Sequence, residues 1–209
     1  MKHDSRDSHD SHDSKEQQFW AWFEHNEALL FGFEHDQERI FQQLTIALAD
    51  VSPDLTFEFG PIEDGSRDFV ISAGGIKSAF AAVERLAGAA PVLPRWNVIK
   101  FRPRRTPIMQ ITYAGRTVKP EDVEFCLLSN GRELGIYLFF DGYREEEAPI
   151  WGEIGYLLLD EALGEYDVEA KVGPIRFFPS GMHPDATRYP LPELPAMFDA
   201  AFAALTSKH

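Results

Sequence analysis

Apolar side chains recur at helical spacing through the first quarter of the chain. Phe19, Trp20, Trp22 and Phe23 crowd one turn, Leu29, Leu30 and Phe31 follow, and Ile40, Phe41, Leu44, Ala47, Leu48 and Val51 form a second run. A recurrence of three to four residues places one apolar face on a helix, so the spacing predicts helices over 16–31 and 35–50, broken around Gly32. Pro53 closes this region, and the period then falls to two. Leu55-Thr56-Phe57-Glu58-Phe59 and Phe69-Val70-Ile71-Ser72 alternate about the turn residues Pro61 to Gly65, the pattern of a β-hairpin. Ile76, Phe80, Val83 and Leu86 return to helical spacing and stop at Gly88. Trp96, Val98, Ile99 and Phe101 then put apolar atoms on both sides of one short segment. That pattern predicts a central strand over 96–102, covered on both faces and stopped by Pro103, which lacks an amide donor.

The second half repeats the order. Residues 108–113 alternate as a strand up to Gly115, and strands over 123–128 and 134–140 flank Ser129-Asn130-Gly131, a strong hairpin turn. A helix over 148–163 carries Ile150, Trp151, Ile154, Leu157, Leu158, Leu159 and Leu163, apolar around much of its circumference, and Gly164 ends it. Residues 166–172 and 175–178 read as extended, 180–192 as a Pro- and Gly-rich connector, and 193–206 as a last helix. Each half therefore runs hairpin, helix, strand. The closing strands read Ile99-Lys100-Phe101-Arg102-Pro103 and Ile175-Arg176-Phe177-Phe178-Pro179. The expected fold is α+β, a two-layer antiparallel or mixed sheet with covering helices, with an internal duplication of a β-hairpin–helix–strand unit over about 54–103 and 121–179. One domain is expected over 19–209. Residues 1–18 repeat Asp-Ser-His and hold no apolar side chain after Met1, so nothing there offsets the entropy of ordering, and a disordered tail is expected.

Charge changes this picture in one respect. The chain of 209 residues has a formal net charge of −14, which speaks against general nucleic-acid binding because such binding neutralises phosphates. From Arg85 to Lys119, however, there are eight basic residues and no acid, whereas Glu121 to Glu169 holds fourteen acids against Arg132 and Arg144. Either the two segments pack together and neutralise one another, or Lys100, Arg102, Arg104 and Arg105 form an anion-binding rim on an acidic body.

Motifs with built-in chemistry are missing from the sequence. It contains no nucleophile elbow, phosphate loop, dinucleotide fingerprint, zincin or EF-hand spacing, or Cys-x-x-Cys pair, and no catalytic residue, metal site or cofactor is predicted. Cys126, the single cysteine, rules out an internal disulfide and sits in an apolar run as an inert thiol. His3, His9 and His12 lie in the tail, which offers a metal no fixed geometry. His25, His35 and the loop residue His183 are the candidates for a structured general base, and the pairs Glu24-His25 and His35-Asp36 read as polar helix faces. Asp160, Glu161 and the run Glu145-Glu146-Glu147 read as solvated helix surface. No secretory leader or membrane span is apparent, and a cytoplasmic location is expected.

Several of these stretches carry a resemblance. Phe19-Trp20-x-Trp22-Phe23-x-x-Asn26, Leu55-x-Phe57-Glu58-x-Gly60, Phe69-Val70-Ile71-Ser72-Ala73, Ala90-Pro91 and Trp96-x-x-Ile99-x-Phe101-Arg102-Pro103 resemble a family of uncharacterised bacterial cytoplasmic proteins, a domain of unknown function. The resemblance implies a bacterial origin and one architectural unit, and it brings no activity with it. The resulting expectation is a non-enzymatic interaction or regulatory protein of the bacterial cytoplasm, whose acidic surface binds a protein partner. The alternative is a small-anion-binding protein, or a hydrolase or transferase, using the basic rim at 100–105 with His183 nearby.

Overall fold

The computed structural model describes residues 13–182 and 186–207. The expected single domain is organised as two compact units, Met1–Lys100 and Phe101–His209. The fold is α+β, with open antiparallel and mixed sheets. The tail histidines His3, His9 and His12, and residues 1–12 generally, lie outside the described residues.

In the first unit, helices α1 (Lys15–His25), α2 (Glu27–Phe31) and α3 (Gln37–Val51) precede strands β1 (Thr56–Glu63) and β2 (Ser66–Ser72), helix α4 (Phe80–Gly88) and strand β3 (Trp96–Lys100). Helix α1 starts inside the segment expected to lack order. The Ser14 hydroxyl accepts from the Gln17 amide while the Gln17 side chain accepts from the Ser14 amide, a reciprocal cap that satisfies two otherwise orphaned donors. The sheet order is β1-β2-β3, with β1 and β2 antiparallel and β2 and β3 parallel. The strand expected to be central is thus an edge, and β2 is central. Strand β3 also ends at Lys100, before Pro103, because Phe101 takes a left-handed backbone with φ of 64°. Phe19, Trp20, Phe23, Phe69 and Trp96 are buried together, the last two 6.3 Å apart, and each such ring contributes on the order of 1.5–3 kcal/mol by leaving water. Arg67 is buried beside Phe31 and Phe33. Its guanidinium lies 4.5 Å from the Phe33 ring and donates to Glu34 at 2.5 Å.

In the second unit the elements are β4 (Ile111–Tyr113), β5 (Arg116–Val118), β6 (Val123–Ser129), β7 (Leu134–Phe140), α5 (Ala148–Leu163), α6 (Glu165–Lys171), β8 (Val172–Pro179), β9 (Tyr189–Pro190) and α7 (Leu194–Thr206). Residues 166–172, expected to be extended, form α6 instead. The main sheet runs β8-β7-β6-β9, with β6 and β7 antiparallel and β7 and β8 parallel; β4 and β5 make a separate hairpin. Strands β1-β2, helix α4 and β3 and strands β6-β7, helix α5 and β8 follow the same order, each an antiparallel pair whose second strand is joined by a parallel one. Ile99 pairs with Val70 in one unit and Ile175 with Ile136 in the other. One face of the main sheet, with Val123, Phe125, Ile136, Leu138 and Phe140, packs on Trp151, Ile154, Leu158 and Leu159 of α5 and on Phe198 of α7.

Candidate functional site

The basic run after β3 lies along the C-terminal half of α5 as a strap. The Arg102 amide donates to Glu165 at 3.0 Å, and the Glu165 amide donates back to the Arg102 carbonyl at 3.0 Å. Farther along, the Arg105 amide donates to the Glu161 carbonyl at 2.8 Å, and the Met109 amide to the Glu161 carboxylate at 3.3 Å. Every guanidinium in the strap meets a carboxylate: Arg102 meets Asp160 at 3.3 Å, Arg104 meets Asp167 at 2.9 Å and Asp199 at 2.8 Å, and Arg105 meets Glu161 at 3.0 Å. The Arg104 hydrogen bonds hold the Asp199 carboxyl below its usual range. Lys100 belongs to the first unit and stands 3.8 Å from Glu84. Three of the four residues expected to form an anion rim are thus gathered on one helix, but engaged with the acidic segment. These pairs are the mutual neutralisation that was the other reading of the charge pattern.

Asp160 is the chemically unusual group in this cluster. Expected on a solvated helix face, it is instead buried, with the fully buried Glu165 close by and Arg102 as its ion-pair partner. Burial pushes its carboxyl up to about 7, with Arg102 pulling the other way and Glu165 adding to the rise. Cys126 is fully buried and burial raises its thiol, as an inert cysteine requires. His25 and His35 are exposed. His183 lies outside the described residues. Among the described residues no group of three or more His, Cys, Asp or Glu side chains could hold a metal ion.

A different place collects convergent polar groups. The β4–β5 hairpin packs beside α5, its Ile111 and Val118 against the core of the unit, and an open cleft of about 710 Å³ remains, with Arg116, Thr117, Asp122, Phe140, Asp141 and Trp151 among its lining residues. The pairing of Val123 with Phe140 explains why Asp122 and Asp141 meet there, since each is the next residue beyond that pair. Arg116 projects from β5, donates to Glu147 at 2.5 Å, and holds its guanidinium 5.2 Å from the centre of the Trp151 ring. Trp151 stands in the first turn of α5, 4% exposed, and its indole N–H has no hydrogen-bond partner. A buried Trp N–H normally finds an acceptor, and leaving one unpaired costs about 1–3 kcal/mol. Glu147 Oε2 is likewise buried without a donor.

Negative charge continues beyond the cleft. Glu121, Asp122, Asp141, Glu145 and Glu146 are exposed, and none forms an ion pair among the described residues. Arg144 and Lys119 in the same runs offset part of that charge. Sequence reading missed this site because its members come from a hairpin, two strand ends and a helix start, with no spacing in common. The signal available was an arginine in a short hairpin and a tryptophan opening an apolar helix, which only the topology joins. Comparison with family models, with curated proteins and with solved structures gives no match.

Proposed function

We propose that the chain is a non-enzymatic interaction or regulatory protein, and that the acidic end of the second unit's sheet binds a basic protein partner. The observation that carries this reading is the uneven pairing of charge. The arginines of the strap are matched by carboxylates, whereas Glu121, Asp122, Asp141, Glu145 and Glu146 are exposed and unmatched. Unpaired surface charge of one sign steers a partner of the other sign and speeds its encounter. The alternative, anion binding or hydrolase and transferase chemistry at 100–105, would need guanidinium groups that face an open pocket. There they face Asp160, Glu161, Asp167 and Asp199 instead. A bacterial cytoplasmic setting accords with the sequence resemblance; no helix among the described residues is long and apolar enough to cross a membrane.

The test is capture at low salt by the immobilised full chain, beside a variant carrying Asp122→Asn, Asp141→Asn, Glu145→Gln and Glu146→Gln. A stoichiometric basic partner, held by the wild type, weakened by salt and lost from the variant, is the expected result. Equal capture by both chains, or no stable partner at all, would overturn the reading.

A further inference from the structure

Arg67 is buried on the central strand β2, and its guanidinium reaches one carboxylate among the described residues, that of Glu34, at 2.5 Å. Its Nε and Nη1 are buried and have no hydrogen-bond partner among those residues. Glu34 belongs to the 3-10 turn Phe33–His35 between α2 and α3, and its side chain is 56% exposed. We propose that this turn is a latch over Arg67, closed by the Glu34 carboxylate and the Phe33 ring, which opens locally while the sheet of the first unit stays folded. The latch is independent of the protein-partner reading, which concerns the acidic end of the second unit.

Opposing forces meet at this turn. Closure takes the Arg67 charge out of water and returns one carboxylate to it, so two donors stay unsatisfied that water would satisfy in an open state. Packing holds the turn shut. The Arg67 guanidinium lies 4.5 Å from the centre of the Phe33 ring and 5.5 Å from that of Phe31, and the Phe33 ring stands 4.9 Å from Phe41 and 5.4 Å from Phe59. The backbone adds little to this. No side chain caps the start of α2, of the turn or of α3, and the turn closes on the His35 amide donating to the Gly32 carbonyl at 3.2 Å and the Asp36 amide to the Phe33 carbonyl at 3.0 Å. The strand beneath is better held, since β2 pairs with β1 on one side and β3 on the other, Arg67 itself standing opposite Ile62 and Trp96. An element tied by two backbone bonds and one exposed carboxylate belongs to the part of a fold that opens first. Its opening would bring a hidden cation and the Phe59 ring to the surface of a chain whose net charge is −14.

The experiment is native-state hydrogen exchange of the full chain, read by NMR at the His35 and Asp36 amides of the latch and at the Phe69 and Ile71 amides of β2, each corrected for its intrinsic rate. In the wild type the latch amides should exchange through an opening insensitive to low urea, while the β2 amides follow global unfolding. Glu34→Gln, an exposed change that spares the core, should speed the latch amides at least tenfold and leave β2 unchanged. Arg67→Met should slow the latch amides at least threefold, because an apolar side chain of similar length removes the orphaned donors that favour opening. Two results with these variants would overturn the proposal. A turn that merely frays would respond to neither substitution, and an ion pair that only braces the turn would give faster exchange in both. Exchange of the latch amides by global unfolding alone would overturn it as well, and if Arg67→Met does not fold, the urea dependence in the wild type and in Glu34→Gln decides the matter.

Discussion

Asp160 carries a proton at pH values where a solvated aspartate has lost it, because the fold removes its carboxyl from water and sets it near a second buried carboxylate, Glu165. The consequence for stability has a definite sign. Its native value is raised from 3.8 to about 7, so between those values the folded chain binds a proton that the unfolded chain has released. The contribution is fully present below pH 4 and is lost as pH rises through 7, with a slope of at most about 1.4 kcal/mol per pH unit. Asp160→Asn removes the titration. Urea unfolding should therefore show wild type and variant similar near pH 4.5, with the variant gaining relative to wild type up to pH 8; an unchanged difference across that range would assign the slope elsewhere. The sequence held a clue to this burial. Helix α5 is apolar around much of its circumference, and a polar residue on such a helix has few solvated positions to occupy. What it did not show was the strap, which lays Arg102 and Arg105 over the very turn that Asp160 and Glu161 occupy.

At the scale of elements, the contact of α5 with β8 is set by two glycines. A Cβ added at Gly155 would lie 2.1 Å from the Phe177 ring, while one at Gly152 would meet it at an ordinary 3.9 Å. Gly155→Ala should lower the melting temperature, with overpacking costing about 1–3 kcal/mol. That cost opposes the gain of about 1 kcal/mol in helix propensity that alanine brings. Gly152→Ala is the internal control and should be neutral or stabilising, and if both variants melted alike the close approach would carry no weight. The elements legible in the sequence were those with long, unmixed periods: the β6–β7 hairpin about Asn130-Gly131 and the helix 148–163 appear with nearly the predicted bounds. Helix α6 was missed because seven residues span fewer than two turns and Val168 is its one buried apolar side chain, although Asp167 and Lys171 pair at helical spacing, 2.8 Å apart. Strand β3 was misplaced for another reason. Apolar atoms on both faces report burial of both faces, which an edge strand reaches when Trp96 is packed among Phe23, Phe31 and Phe59.

For the molecule as a whole, a net charge of −14 leaves its carboxylates in two sets, those paired with the strap arginines and those exposed without an ion pair among the described residues. Composition shows the total and the segmental bias but not which carboxylates are already matched; that depends on the packing of 101–109 along α5. The two sets should separate by mutation. Arg102→Ala leaves Asp160 and Glu165 buried without that guanidinium, and stability should fall by about 1–3 kcal/mol, moderated because Asp160 can take up a proton. Partner capture should be unaffected, since nothing exposed has changed at Asp122, Asp141, Glu145 or Glu146. Asn and Gln at those four positions should do the opposite. Stability should stay within about 0.5 kcal/mol or rise, because removing unmatched negative charge from an acidic body relieves self-repulsion, while capture of a basic partner is lost. Denaturant melts and low-salt capture on the same two variants decide the matter. If Arg102→Ala abolished capture without a loss of stability, the binding surface would lie on the strap; if the four neutral substitutions unfolded the chain, the acidic end would be part of the scaffold rather than a surface held ready for a partner.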